Sequence, residues 1–465
     1  MNTQHLRLKQ GSGAALSRRQ WMRTTGLAML AWPLAGLSDD NTSSSPAQFA
    51  LEDTGLQARI VVVGGGMAGA TVAKYLRLWG GSGVQVTLVE PTTQYTSHIM
   101  SNLVLGGSRN LASLAYGHGT LAARYGVQLR QAAVSAIDTA GQAVLLSDGG
   151  RLAYDRLVLA PGIDFDAAWG LSRADYDTRT PHAWRAGPQT ELLRTQIAAM
   201  PADGLYVLAI PKAPYRCPPG PYERACLVAD HLKATRGPAA RVLVLDENAG
   251  IQAEPETFAH AFAVTHANTI DYRSGVTGLN FDPVQRQVQW ADDLGLVSQR
   301  QAAVLNPIPP QRAVGSEPGG WLAAAGLANG TQGRWAKVNV LSYESTAVPR
   351  VHVIGDAAEC GLPKAGHVAN QEAKICADAI VRALSGQAPD PAPVANSACY
   401  SPITATTASW LSTVYQYDPA RGGMRPAADN GRLDTGRAIE SDSVSSRNFQ
   451  DMNTWFTTLM GDSFA

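Results

Sequence analysis

Residues 59–69 read Arg-Ile-Val-Val-Val-Gly-Gly-Gly-Met-Ala-Gly, an apolar strand that runs directly into a glycine cluster. Gly64 would permit the tight turn, Gly66 would let the backbone approach a pyrophosphate, and Gly69 would let a helix pack closely on the strand. Residues 70–78, which follow, have helical composition. The helix N-terminus, with its unpaired N–H groups, would receive the phosphates.

A second strand and an acid complete this unit. Residues 84–90 form another apolar run that ends in Glu90, 21 residues after Gly69. An acid at about this spacing binds a ribose hydroxyl in dinucleotide-binding βαβ units. The agreement of strand, glycines, helix, strand and acid predicts a Rossmann-like fold with a bound dinucleotide.

The whole chain is large and electrically balanced. Its 465 residues, 45% of them hydrophobic, can bury more than one core, so we expect two or three domains. Lys plus Arg and Asp plus Glu number 38 each, and no long basic block is present, so no nucleic-acid partner is expected.

The N-terminus is a separate segment. Residues 17–37, SRRQWMRTTGLAMLAWPLAGL, place paired arginines before a short apolar run, and the segment resembles a twin-arginine export signal with Trp21 where Phe is usual. A basic arm before a core helix is the alternative. The signal predicts a periplasmic protein, exported folded and cleaved between Ala35 and Ala50. No other stretch is long or apolar enough for a transmembrane helix.

Two later segments favour FAD over NAD. Residues 157–162, LVLAPG, resemble the strand and turn by which two-dinucleotide flavoproteins leave the FAD domain. Residues 351–356, VHVIGD, resemble the late strand of the same family, in which Asp356 would hydrogen-bond a ribityl hydroxyl. A helix predicted over residues 370–384 would direct its N-terminus toward the flavin.

A second βαβ unit is predicted between these segments, with strands at 205–210 and 241–246 and a helix at 222–233. Where a nicotinamide-binding domain needs glycines, residues 211–217 read PKAPYRC. Prolines and a bulky Tyr-Arg pair should block the backbone approach that a pyrophosphate requires. We therefore expect this domain to keep the fold without binding NAD.

That loop holds Cys217, one of five cysteines. In two-dinucleotide flavoproteins the loop faces the isoalloxazine ring, so Cys217 would lie where nicotinamide otherwise stacks. Arg216 is expected to lower the pKa of Cys217 and favour the reactive thiolate. The alternative is a structural cysteine, and the odd count leaves at least one thiol unpaired.

Several segments occur in the order found in one family: PYRCPPGPYERA at 214–225, NPIPPQRA at 306–313, PKAG at 363–366 and ACYS at 398–401. With the FAD segments, they make the chain resemble the flavoprotein subunit of flavocytochrome c sulfide dehydrogenase. Sulfide:quinone oxidoreductase is a more distant relative. The resemblance covers nearly the whole chain after residue 58.

This resemblance implies a redox-active disulfide between Cys217 and Cys399 above the flavin, and a nearby acid at Glu223. A bridge from Cys217 to Cys360 is the main alternative pairing. The remaining two cysteines, Cys226 and Cys376, lie in apolar helical stretches and are interpreted as core residues.

The chemistry follows from that pairing. A hydrosulfide or similar nucleophile would open the bridge by thiol–disulfide exchange, and the released thiolate would pass two electrons to the flavin. Glu223 is a candidate proton carrier and Lys364 a candidate stabiliser of reduced flavin, with surface ion pairs as the alternative for both. No Cys-x-x-Cys-His haem motif is present, so a separate c-type cytochrome subunit is the expected acceptor.

One segment departs from the family. Its flavin is attached through the cysteine of a Thr-Cys-Tyr-Leu-Ser-Asn segment, whereas residues 97–102 here read SHIMSN. The thioether cannot form, so His98 either supplies a histidyl link or is a polar wall residue.

Three other functions compete with this interpretation. A sulfide:quinone-type reductase would need an amphipathic C-terminal anchor, for which residues 453–460 are short and mixed. The missing glycines disfavour an NAD(P)H-dependent reductase. A non-catalytic, FAD-containing partner in a sulfur-oxidation complex would not need the two cysteines.

The sequence therefore predicts an α/β protein with two Rossmann-like three-layer domains, of glutathione-reductase-like architecture, plus a C-terminal domain. The predicted segments are the signal and linker (1–50), the first FAD-binding segment (51–164), a degenerate NAD-like domain (165–300), the second FAD-binding segment (301–390) and a C-terminal domain (391–465). Predicted FAD-binding residues are Gly64, Gly66, Met67, Ala68, Gly69, Glu90, His98, Ala160, Pro161, Gly162, Gly355, Asp356 and Lys364. Predicted catalytic residues are Cys217, Cys399 and Glu223, and no metal site is predicted.

Overall fold

The computed structural model describes residues 49–427 and 438–465, so the predicted export signal lies outside the described residues. Helices of at least six residues are α1 (Met67–Gly80), α2 (Gly119–Tyr125), α3 (Arg173–Thr178), α4 (Pro188–Ala198), α5 (Gly220–Arg236), α6 (Pro255–His260), α7 (Gly366–Leu384) and α8 (Ser446–Phe464). Across these two ranges, no helix combines the length and the apolar character needed to cross a bilayer.

The first Rossmann-like unit is built on an eight-stranded sheet. Its strands, in spatial order, are Ala358–Glu359, Ala336–Asn339, Glu344–Ser345, Val351–Val353, Arg156–Leu159, Ala58–Val63, Val84–Val89 and Gln128–Arg130. The last five of these are parallel. Their buried valines and leucines form the near-continuous apolar runs expected of a parallel sheet covered on both faces. Two distant segments of the chain therefore form one sheet.

The second unit repeats this arrangement around a smaller parallel sheet. Its strands, in spatial order, are Ile270–Ser274, Arg241–Asp246, Leu205–Ile210 and Val304–Pro307. The two strands predicted for this unit are confirmed, and α5 extends the predicted helix at both ends. An antiparallel sheet of Thr277–Asp282, Gln287–Ala291 and Val297–Gln301 shares a core with it.

Smaller pairings complete the first two units. They are Ile163–Phe165 with Gln311–Ala313, Gln94–Thr96 with Ala115–Gly117, and the antiparallel trio Val134–Asp138, Ala143–Leu146 and Arg151–Ala153.

The C-terminal region is an antiparallel sheet followed by α8. Its strands are Val394–Pro402, Ala408–Asp418, Gly423–Pro426 and Ile439–Glu440. The apolar side chains of α8 are buried, and the helix packs on α1 and on the sheet. The strand that holds Cys399 packs on α7, which brings it to the first unit.

One helix begins earlier than predicted. The sequence pattern predicts a start at residue 370, but α7 begins at Gly366, directly after the Pro363-Lys364-Ala365 segment. Asn370 is instead buried and hydrogen-bonds Asp462 and Ser463 of α8. Asn370 therefore lies within the helix and makes a tertiary contact with α8.

Candidate functional site

A cavity of about 690 Å³ lies where the three regions of the fold meet. This volume is within the range of small-molecule and cofactor sites, roughly 300–1,000 Å³. The predicted residues that line it are Gly64, Gly66, Met67, Ala68, Glu90, His98, Pro161, Gly162, Cys217, Glu223, Gly355, Asp356 and Cys399. The fold thus brings the predicted flavin residues and the predicted catalytic residues to one space.

The glycine loop is fixed by close backbone packing. A Cβ atom on Gly64, whose φ is +97°, would lie 2.2 Å from the carbonyl oxygen of Ala160. One on Gly69 would lie 1.7 Å from the carbonyl oxygen of Gly64. Gly69 and Ala160 do not line the cavity and act by shaping the loop. Glu90 accepts a 2.7 Å hydrogen bond from the N–H of Gly65, which holds its carboxylate at the loop.

Two helix N-termini face the cavity. The helices α1 and α7 begin after Gly66 and Ala365, and neither start has a side-chain cap. Residues of both first turns line the cavity, so their N–H groups and positive dipole ends are available to phosphate or to a negatively charged ring. This arrangement fits FAD: the residues present could hold its pyrophosphate and the reducible end of its flavin.

Lys364 lies outside this cavity. Its ammonium donates 2.8 Å hydrogen bonds to the carbonyl oxygens of Asp356 and Ala358, and it lies 3.9 Å from the centre of the Trp335 ring. These contacts anchor the turn that presents Asp356, whose carboxylate lies 3.8 Å from the Arg216 guanidinium. Lys364 therefore stabilises the turn at Asp356 by bonding its backbone, and does not line the cavity.

Cys360 belongs to the same small neighbouring space as Lys364. Its thiol donates a 3.1 Å hydrogen bond to Glu372, and Glu372 accepts another from the N–H of Gly355. All five cysteines are free thiols in the structure, and Cys360 does not line the large cavity with Cys217. This position disfavours the alternative bridge from Cys217 to Cys360.

Cys217 is held in place by contacts that cross between the two Rossmann-like units. Its N–H donates a 2.7 Å hydrogen bond to the carbonyl oxygen of Lys364, and the N–H of Arg216 donates to Gln311 at 2.8 Å. Cys217 has φ +59°, a left-handed conformation that is strained for a residue with a side chain. Long-range bonds therefore impose the conformation that turns this loop toward the cavity.

Arg216 does not make Cys217 acidic as expected. Burial and then the charge of Glu223 raise the pKa of Cys217 to about 12, because the opposing effect of Arg216 is smaller. The Arg216 guanidinium is itself buried and faces Asp356. In the reduced protein Cys217 is therefore a protonated thiol, and a base must remove its proton before it can react.

Cys399 lines the same cavity from the C-terminal sheet. Burial and then a negative charge on Cys217 raise its pKa well above the ordinary value, which places the two sulfurs in mutual electrostatic range. The neighbouring N–H of Ala398 donates a 2.9 Å hydrogen bond to Nδ1 of His367 on α7. This bond fixes the strand against the flavin-side helix.

Glu223 is a buried acid beside Cys217. Its pKa is raised to about 8, chiefly by burial; a hydrogen bond from Asn102 opposes the shift, and the negative charge of Glu254 adds to it. The Asn102 side-chain amide donates to the Glu223 carboxylate at 2.9 Å, and Arg224 donates to Asn102 at 2.9 Å. A carboxyl group that titrates near neutral pH can both give and take a proton.

Sequence reasoning missed this supporting group. Arg224 is 1% exposed and also bonds Asn306 and the carbonyl oxygens of His182 and Ala183. The signal was present: an arginine in an otherwise apolar stretch of helix is buried only where partners satisfy it. Asn102 ends the segment 97–102 that departs from the resembled family.

His98 lines the cavity with one ring nitrogen already engaged. Its Nδ1 accepts a 2.9 Å hydrogen bond from the N–H of Ala186. Burial, Arg216 and Arg185 hold its pKa well below the ordinary value, so the ring is neutral. These contacts favour its interpretation as a polar wall residue.

The acid that ends the second strand of the second unit is bonded within the protein. Asp246 ends its second strand, where an NAD-binding domain places the ribose-binding acid. Here Asp246 is fully buried and accepts hydrogen bonds from Tyr222, Tyr272 and Asn248. The acid is thus occupied within the protein, as expected of a domain without NAD.

Three family models match the chain. The pyridine nucleotide-disulphide oxidoreductase model matches residues 58–175. The central model of the sulfide dehydrogenase [flavocytochrome c] flavoprotein chain matches residues 190–309, and the flavocytochrome c sulphide dehydrogenase flavin-binding model matches residues 391–464. These matches confirm the prediction of FAD.

Individual proteins match shorter stretches. The sulfide dehydrogenase [flavocytochrome c] flavoprotein chain of Chlorobaculum thiosulfatiphilum is 54% identical over 46 residues, 10% of this chain and 94% of that one. Putidaredoxin reductase CamA of Pseudomonas putida is 40% identical over 106 residues, 22% of this chain and 25% of that one. The probable ferredoxin reductase CtmF of Castellaniella defragrans is 37% identical over 106 residues, 22% and 26% of the two chains. The chain thus spans about a quarter of each reductase's length.

Solved structures share the fold at low identity. The sulfide:quinone oxidoreductase of Aquifex aeolicus has a TM-score of 0.68 and 17% identity, over 87% of this chain and 92% of that one. The covalent putidaredoxin reductase–putidaredoxin complex has a TM-score of 0.59 and 21% identity, over 88% and 94%. The predicted fold class is confirmed.

Proposed function

Because the chain belongs to the family of the flavocytochrome c sulfide dehydrogenase flavoprotein chain, we propose that it oxidises hydrosulfide, or a related reduced sulfur compound, through Cys217, Cys399 and FAD. We further propose that the electrons leave to a c-type cytochrome subunit.

One observation carries this proposal. Cys217 and Cys399, which come from different regions of the fold, line a single cavity together with the glycine loop and Gly355-Asp356. A flavin held at these two motifs would have both sulfurs beside it. Both thiols are free in the structure, and we propose that they form a disulfide in the oxidised protein.

In the proposed first step, a hydrosulfide sulfur bonds to one cysteine sulfur. The S–S bond breaks, leaving a persulfide on that cysteine and a thiolate on the other. A second hydrosulfide attacks the outer persulfide sulfur and leaves as hydrogen disulfide, so both cysteines are then reduced. FAD supplies the two-electron acceptor, and the loss of two electrons re-forms the disulfide. Two HS⁻ thus become HSS⁻, two electrons and one proton.

Glu223 takes part in these reaction steps because both cysteines carry protons when they are reduced, and a base must remove those protons. Glu223 lines the same cavity as Cys217 and raises the pKa of Cys217 by its charge, and we propose that the two groups exchange a proton. Asn102 orients the Glu223 carboxylate, and Arg224 orients Asn102. Glu223 is therefore the proposed acceptor of the Cys217 proton.

We also propose that the protein acts in the periplasm, after twin-arginine export. The paired arginines and apolar run of residues 17–37 support this location. A periplasmic c-type cytochrome is a suitable acceptor because the chain itself carries no Cys-x-x-Cys-His motif. The quinone alternative gains no support from α8, whose apolar face packs on protein.

The test is anaerobic reduction of the FAD-loaded protein. Sulfide should bleach the flavin absorbance of the wild type, and Cys217→Ser should abolish the bleaching. Cys226→Ser is the matched control, because Cys226 is fully buried and does not line the cavity. Bleaching that survives in Cys217→Ser, or that NADH alone produces, would overturn the proposal.

A further inference from the structure

Glu254 is a second buried acid behind Cys399. It is 1% exposed, has φ +51°, and one carboxylate oxygen, Oε1, has no hydrogen-bond partner. A strained backbone and an unsatisfied buried oxygen each cost free energy. Such a combination points to a role beyond packing.

The carboxylate of Glu254 faces the strand that carries Cys399. Its Oε2 accepts a hydrogen bond from Ser401. Cys399 and Ser401 are two residues apart on one strand, so their side chains point to the same face of the sheet. Ser409 lies directly opposite Ser401 on the neighbouring strand, and its hydroxyl partly opposes the rise in the pKa of Glu254.

The hydroxyl groups of Ser409 and Thr257 lie in series between the buried region and the half-buried Glu440. The Oγ atoms of Ser409 and Thr257 are 3.5 Å apart, and the Thr257 hydroxyl donates a 2.9 Å hydrogen bond to Glu440. Ser409 is fully buried, whereas Thr257 and Glu440 are half-buried. The donor directions suit outward transfer: Ser409 can accept from a protonated Glu254 and donate to Thr257, which donates to Glu440.

Glu254, the most buried acid of this series, interacts electrostatically with the cysteine region. The groups that interact electrically with Glu254 are Glu223 and Cys226 on α5, Cys399 on its strand, and Glu440 at the outer end. Burial raises the pKa of Glu254 to about 7, so it can hold and release a proton near neutral pH. The oxidation described above releases one proton beside these cysteines.

We propose that Glu254, Ser409, Thr257 and Glu440 form a proton exit path from the cysteine pair to solvent. This inference rests on the proposed function, because it uses the proton that sulfur oxidation releases. Glu254 takes the proton that leaves the thiols, directly or by way of Glu223, and Glu440 delivers it to water. The electrons leave separately through the flavin.

The test separates proton release from electron transfer. The FAD-loaded protein is mixed anaerobically with sulfide in weakly buffered solution, while flavin absorbance and a pH-indicator dye are followed together. In Glu254→Gln and Thr257→Val we expect proton release about tenfold slower than in the wild type. The control Thr195→Val, at an exposed helical threonine bonded to its own backbone, should match the wild type.

A second readout needs no turnover. The pH dependence of Cys399 alkylation by iodoacetamide should shift to lower pH in Glu254→Gln, because a negative charge near the thiol is lost, and should not shift in Thr257→Val. Proton release at the wild-type rate in both variants would overturn the path. If sulfide does not reduce the wild-type flavin, the proposed function fails; an unchanged alkylation profile in Glu254→Gln would by itself overturn the coupling of Glu254 to Cys399.

Discussion

Replacing Glu223 by glutamine should make the protein more resistant to alkaline pH. The pKa of Glu223 rises from the ordinary 4.5 to about 8 in the folded protein, chiefly because burial disfavours its charged form. Between these values the folded state binds more protons than the unfolded state. The associated stability is therefore complete below about pH 4.5 and is lost as pH rises toward 8.

The size of the effect follows from the shift. Each pKa unit corresponds to about 1.4 kcal/mol, so titration of Glu223 between about pH 5 and about pH 9 should remove about 4 kcal/mol of stability. For a chain of this length, an unfolding entropy of about 2.1 cal/mol/K per residue converts this to a melting-temperature change of about 4 °C. Glutamine keeps the shape of the side chain and cannot ionise. Between these pH values the Glu223→Gln protein should therefore lose less stability than the wild type, by the same amount.

The assay is thermal unfolding of the FAD-loaded wild type and Glu223→Gln, followed by far-ultraviolet circular dichroism at both pH values. Groups remote from Glu223 titrate equally in both proteins, so the difference between their pH dependences reports Glu223 together with the thiols and the acid coupled to it. Glu256→Gln, at an exposed acid on α6, is the matched control and should follow the wild type. Equal pH dependences for wild type and Glu223→Gln would refute a neutral, buried Glu223.

Three further outcomes are expected. Gly64→Ala should lose FAD absorbance, since its Cβ would meet the Ala160 carbonyl, whereas Gly278→Ala, also at positive φ but with nothing within 4 Å, should retain it; equal retention would contradict the loop geometry. Arg224→Met should lower the free energy of unfolding by about 3 kcal/mol in urea titrations, because several buried acceptors lose their donor; an unchanged midpoint would contradict this. Acid precipitation should release the FAD into the supernatant, since residues 97–102 contain no cysteine that could form a thioether; yellow precipitate would indicate a covalent link through another residue such as His98.

Much of the fold could be predicted because it depends on local patterns. The strand beginning near residue 59, the glycine turn and the strand at 205–210 follow from apolar runs and turn residues that are contiguous in sequence. The start of α7 could not be placed the same way. Asn370 looked like a helix start, yet its side chain bonds α8, which is distant in sequence.

The site was predictable where a residue type alone limits the chemistry. Cys217 and Glu223 stand out by composition, but the pKa of each depends on desolvation and on neighbours from other elements. Arg216, adjacent in sequence to Cys217, suggested an acidic thiol. Burial outweighs that charge, and burial is not visible in the sequence.

By itself the sequence determined the dinucleotide-binding fold, the preference for FAD and the absence of a glycine loop in the second unit, because each is set by backbone requirements of a few adjacent residues. Only the tertiary structure decided that Cys217 and Cys399 share one cavity, that Lys364 and Cys360 lie outside it, and that Glu254 bonds Ser401 on the strand of Cys399. These relations depend on how separate elements pack, and packing is determined by the whole chain.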